Sequence, residues 1–121
     1  MRRLVLHSVV LTLAMMAGAQ GAPLQCDVGP VTKVFGSVPW LVYSCIDSKS
    51  VVIVSAPGSP ASPFYFMFSP EGTQYHLRGE GTGAKNVTDA ALRELQALSA
   101  KDVQELINET KAVKSTGKER Q

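Results

Sequence analysis

Residues 51–68 read Val51-Val52-Ile53-Val54-Ser55-Ala56, then Pro57-Gly58-Ser59-Pro60-Ala61-Ser62-Pro63, then Phe64-Tyr65-Phe66-Met67-Phe68. The first run is nearly continuous in β-branched residues and reads as a well-buried strand. Pro57, Pro60 and Pro63 each fix φ at about −65° and remove a backbone donor, so the middle segment is a stiff loop without ladder pairing. The chain then resumes as a strand with Phe64, Phe66 and Phe68 on one face and Tyr65 and Met67 on the other. Both faces are apolar. With the phenylalanines packed on a helical layer, Tyr65 and Met67 are left for a second layer or for a binding surface.

Towards the N-terminus, Val31 to Phe35 and Pro39 to Cys45 are β-prone runs separated by Gly36, Ser37 and Val38. Gly-Ser suits the centre of a type II′ hairpin. Asp47 to Ser50 is a polar turn into the strand at Val51. Towards the C-terminus, Ser69 to Thr73 forms a turn, after which Gln74, His76 and Arg78 alternate with Tyr75 and Leu77 as a half-exposed strand. Gly79, Gly81 and Gly83 end the sheet. In letters, Gly79 to Ala84 matches the G-x-G-x-x-A dinucleotide fingerprint. That motif needs a helix starting at once and a strand after it, and neither follows here, so the segment reads as a flexible exit from the last strand.

The apolar period changes from two to 3.6 after Asn86. Ala91, Leu92, Leu95 and Leu98 fall on one face of a short helix with Thr88 as its N-cap and Asp89 at the positive end of its dipole. Ser99 and Asp102 read as a capping-box variant that opens a second helix, with Val103, Leu106, Ile107 and Val113 as its stripe. The fold class expected is α+β: an antiparallel meander of about five strands followed by two C-terminal helices packing on one face. One domain over residues 22–110 is expected, followed by a basic, flexible tail over 111–121.

Arg2 and Arg3 precede an apolar run from Leu4 to Met16, and small residues follow at Ala17, Gly18, Ala19 and Gly21. This is the tripartite secretory pattern, so residues 1–21 read as a signal peptide and the chain as exported to a periplasm or the exterior. The run is too short to span a bilayer, and no transmembrane segment is expected later. A lipid-modified Cys26 is the alternative, although Pro23, Leu24 and Gln25 match a lipobox poorly. Without Arg2 and Arg3, ten Lys and Arg remain against ten Asp and Glu. A chain near neutrality lacks the basic face that concentrates polyanions, and no nucleic acid is expected as a partner.

Cys26 and Cys45 are the two cysteines, and an oxidising compartment lets them pair as a disulfide. The spacing is not C-x-x-C, and His76 is the one histidine outside the signal segment, so neither a metal nor another cofactor is expected. The binding candidates are Trp40, Tyr43, Tyr65 and Met67 on the strands and Pro57, Pro60 and Pro63 in the loop. No G-x-S-x-G frames any serine; a small hydrolase would have to use His76 with a carboxylate. Asn86-Val87-Thr88 and Asn108-Glu109-Thr110 match the glycosylation acceptor but sit in helical context, and are discounted.

Tyr43-Ser44-Cys45, followed by Lys49 and the strand from Val51 to Val54, resembles the opening of the small periplasmic C-type lysozyme inhibitors. That resemblance implies a compact β-barrel and inhibition of a cell-wall-degrading enzyme. It covers a short stretch, the family's Ser-Gly-x-x-Tyr loop is absent, and two terminal helices depart from the family, so no membership is drawn. The function expected is a non-enzymatic interaction module, monomeric or weakly dimeric, binding a protein or cell-envelope component. The alternatives are the His76 hydrolase and the inhibitor.

Overall fold

The computed structural model describes residues 23–119, with side chains described for 23–113. The segment read as a signal peptide, its cleavage point and the last two residues lie outside the described part. Five strands, β1 (Val28–Phe35), β2 (Val38–Ser44), β3 (Val51–Ser55), β4 (Phe64–Glu71) and β5 (Gln74–Gly81), precede α1 (Lys85–Gln96) and α2 (Ala100–Glu119). The strands form one sheet in the order β1-β2-β3-β4-β5, every neighbouring pair antiparallel. This is the α+β meander with two C-terminal helices that the alternation of apolar residues implies. β1 and β5 are its two edges, so the sheet is open and not the closed barrel that the inhibitor resemblance implies.

Alternation decides the layering. On β2 Trp40, Val42 and Ser44 are buried, on β3 Val51, Ile53 and Ser55, and on β4 Phe66 and Phe68. Ala91 and Leu95 of α1 and Val103, Leu106 and Ile107 of α2 close the same core. Trp40 sits at its centre, its ring 5.2 Å from that of Phe66, and its indole Nε1–H donates to the Phe35 carbonyl oxygen at 2.9 Å. Full burial of an indole is tolerated because that donor finds an acceptor. At the edge, Lys33 of β1 reaches Glu109 of α2 at 3.0 Å, a half-exposed pair worth at most about 1 kcal/mol.

Several local expectations change. The β1–β2 turn is Gly36-Ser37 with φ of 61° and 67°, so both central residues are left-handed. That is the type I′ pattern and not II′. The β4–β5 turn tightens to Gly72-Thr73, since the strands pair as far as Glu71 and Gln74. β3 is buried on one face only, because Val52 and Val54 are half-buried beside the fully buried Val51 and Ile53.

Helix α1 starts at Lys85, earlier than an N-cap at Thr88 allows. Ala84 is the N-cap and makes no side-chain cap, and its N–H donates to the Pro60 carbonyl oxygen at 2.9 Å. Thr88 is buried in the first turn and its hydroxyl donates to the Lys85 carbonyl oxygen, while Asp89 pairs with Lys85 at 3.1 Å. The capping box at α2 forms as read: the Asp102 N–H donates to Ser99 Oγ at 3.1 Å and the Ser99 N–H to Asp102 Oδ2 at 2.9 Å. Helical backbone continues to Glu119, so residues 111–119 extend α2 where a tail is expected.

Cys26 and Cys45 are joined as a disulfide. The Ile46 N–H also donates to the Gln25 carbonyl oxygen at 2.8 Å, so the segment before β1 is fixed to the end of β2. A bridge across a separation of 19 residues stabilises by about 3 kcal/mol on the loop-entropy account. No helix among the described residues is long and apolar enough to cross a membrane.

Candidate functional site

With both helices on one face, the opposite face of the sheet has no second layer among the described residues. Two rows of strand register build the middle of that face, between the Val34–Pro39 pair on one side and the Ser69–His76 pair on the other. One runs Thr32, Leu41, Val54, Tyr65 and Glu80 across β1 to β5, and the other runs Tyr43, Val52, Met67 and Arg78 across β2 to β5. Leu41, Tyr43, Val52, Val54, Tyr65 and Met67 are all half-buried, shielded from water by one another and by no second layer among the described residues. Contiguous apolar patches of this kind are uncommon on the free surface of monomeric proteins.

Arg78 and Glu80 close the β5 side. The Tyr65 hydroxyl donates to Glu80 Oε2 at 2.9 Å, and this bond to a carboxylate, followed by slight burial, pushes the phenol above its ordinary range. A shallow depression of about 810 Å³ opens at the same end, with Val52, Val54, Tyr65, Glu80 and Pro63 among its walls. Arg78 makes no side-chain hydrogen bond or ion pair among the described residues.

The residues expected to bind divide by face. Tyr43, Tyr65 and Met67 come together on the open face as the alternation requires. Trp40 does not join them, because its even-numbered register on β2 turns it into the helix-packed core, where it has 0% exposure and cannot touch a partner. Leu41, Val52, Val54, Arg78 and Glu80 belong to the face and escaped the sequence reading. The signal was present: if Val51 and Ile53 point inward, Val52 and Val54 must point outward.

Pro57, Pro60 and Pro63 are exposed, and of the three Pro63 alone walls the depression. The loop is stiff, as its prolines imply, but it is also hydrogen-bonded. The Ser59 N–H donates to the Ala56 carbonyl oxygen and the Ser62 N–H to that of Ser59, while Pro63 accepts from the Thr82 and Gly83 N–H groups. Ala61 is fully buried. The Ser55 hydroxyl accepts from the Phe64 N–H at 3.1 Å and closes the loop at its base. The segment is a strut between β3, β4 and the entry to α1.

The glycine series is not a flexible exit. Gly79 and Gly81 continue β5 opposite Phe66 and Phe64, and a methyl on Gly79 would come within 2.7 Å of the Phe66 ring. The two aromatic rings occupy the space that those glycines leave, as in aromatic rescue of glycine in sheets. His76 is exposed on β5 opposite Ser69, with no hydrogen bond to a carboxylate among the described residues. No group of three or more His, Cys, Asp or Glu is placed to hold a metal among the described residues. Both Asn-x-Thr triplets lie in the helices with their threonines buried in the packing.

No protein-family model matches the chain, and neither a curated protein nor a solved structure is significantly similar to it.

Proposed function

We propose that the chain is a non-enzymatic interaction module, acting outside the cytoplasm, whose binding surface is the open face of the sheet. One observation carries the reading: six apolar side chains from β2, β3 and β4 form a single surface over which none of the described residues packs. Side chains of that kind bury themselves against a partner, and Tyr and Met are enriched at such contacts. Placement outside the cytoplasm is supported by the basic and apolar pattern of residues 2–21 and by the Cys26–Cys45 bridge.

The test is site-specific photo-crosslinking from Met67 in the producing cell, followed by affinity measurement with the partner so found. Met67→Glu and Val54→Glu, each checked for native circular dichroism, are expected to lower affinity by more than tenfold because a charge is desolvated at the contact. Pro57→Ser, at an exposed loop position that does not line the depression, is expected to leave it unchanged. Full affinity in a folded Met67→Glu variant eliminates the open face.

A further inference from the structure

We propose that the occupant of the open face is a second copy of this chain, in a two-fold dimer where the sheets stack face to face. The inference rests on the open face being the binding surface and names its partner.

The argument is in the register. The row containing Ile53 and Gly79 points into the core and separates the two rows of the open face. A two-fold axis lying between two stacked sheets, running across the strands along that row, reverses strand direction and exchanges the flanking rows. Leu41 of one copy then faces Tyr43 of the other, Val54 faces Val52, and Tyr65 faces Met67. On β5, Glu80 faces Arg78. Apolar residues meet apolar ones, and the two charges flanking the axis meet their opposites, twice per dimer because a two-fold contact is reciprocal.

Glu80 uses Oε2 for the Tyr65 hydroxyl, which leaves Oε1 for the guanidinium across the axis. Both charged side chains are exposed at the margin, where such pairs set register and specificity more than affinity. Aligned stacking at about 10 Å is the common mode for two twisted sheets. The face spans five strands about 4.8 Å apart and five or six residues of about 3.3 Å, so two copies bury roughly 800–950 Å². That area lies just below the threshold of about 1,000 Å² for a stable interface and suits a weak dimer that forms and separates.

Sedimentation equilibrium of the purified whole chain, as its host delivers it, tests the proposal with Arg78→Glu, Glu80→Arg and the double reversal. The wild type is expected to reach twice the chain mass with rising concentration. Each single reversal sets like charges opposite one another at two symmetric places and is expected to weaken association about tenfold. The double reversal is expected to restore it. A wild type that stays monomeric throughout, or a dimer indifferent to both single reversals, overturns the pairing. A monomer whose Met67→Glu variant loses a different crosslinked partner leaves the interaction module standing and removes only the second copy.

Discussion

The hydroxyls of Ser44 and Thr110 lie 2.7 Å apart in the core, joining the end of β2 to α2, with both side chains at 0% exposure. Thr110 donates to the Ile107 carbonyl oxygen at 2.6 Å, so Ser44 is left as the donor to Thr110. The Ser44 hydroxyl is satisfied through Thr110, which also holds the Ile107 carbonyl, and no buried side-chain polar atom among the described residues lacks a partner. Thr110→Val should therefore destabilise by about 1–3 kcal/mol, because it strands the Ser44 hydroxyl. The double variant with Ser44→Ala should recover part of that loss. Urea unfolding of the four proteins in a double-mutant cycle reads the coupling, and strictly additive losses would refute the pairing.

Gly83 distinguishes a strut from a flexible exit by the sign of one substitution. A methyl there collides with the Ala61 backbone, in a fully buried residue that cannot retreat. Gly83→Ala should cost about 1–3 kcal/mol, as overpacking does. In a loosely held connection with an ordinary backbone conformation, the same change would instead stabilise by about 0.4–1 kcal/mol through the unfolded chain. Thermal unfolding gives the sign directly.

Acid sensitivity should come from two aspartates. The Ser99 backbone N–H, then its hydroxyl, hold the Asp102 carboxyl below the ordinary aspartate value. Burial alone would raise Asp47, but the Ser50 N–H and hydroxyl, the Lys49 N–H and the Lys49 charge together bring it below that value. A carboxyl more acidic in the folded state contributes stability above its unfolded value of about 3.9, and that contribution is lost as pH falls through the lower folded value. The urea midpoint should thus be flat in pH above about 5 and fall towards pH 2. Asp102→Asn should flatten part of the fall, and an unchanged acid limb in that variant would count against the capping box as its source.

The meander, the bridge and the capping box were legible in the residues because each rests on a local signal: period-two alternation from Phe64 to Phe68, one available cysteine pair, and Ser99 three residues before Asp102. What escaped depends on contacts distant in sequence. The start of α1 is set by Ala84 docking on Pro60, which no N-cap rule foresees, and Thr88 is drawn into the core instead of capping. The Pro57–Pro63 loop reads as stiff but unpaired because the bonds that hold it to the rest of the fold come from Thr82, Gly83 and Ala84, distant in sequence. The chemistry of Trp40 suits a binding residue, while its register on β2 sends it inward. The open face was half visible, since the alternation that exposes Tyr65 and Met67 exposes Val52 and Val54 too.

The last relationship of this distant kind joins the first hairpin to α1. The Gly36 N–H donates to Glu94 Oε2, and the turn approaches the helix so closely that a methyl on Gly36 would stand 2.6 Å from the Ala91 nitrogen. Gly36 also holds φ at 61°, so it meets two requirements that no other residue meets together. Glu94→Ala removes the acceptor without touching the core, because Glu94 is exposed. A bond from a charged acceptor at the surface should contribute about 1 kcal/mol, which shifts the melting temperature by several degrees in a domain of this size. The sharper measurement is local: amide exchange at Gly36 should accelerate in Glu94→Ala while the amides of β3 keep their protection. Equal acceleration at both places would mean that Glu94 supports the whole fold, and no change at Gly36 would mean that the turn is held by shape alone.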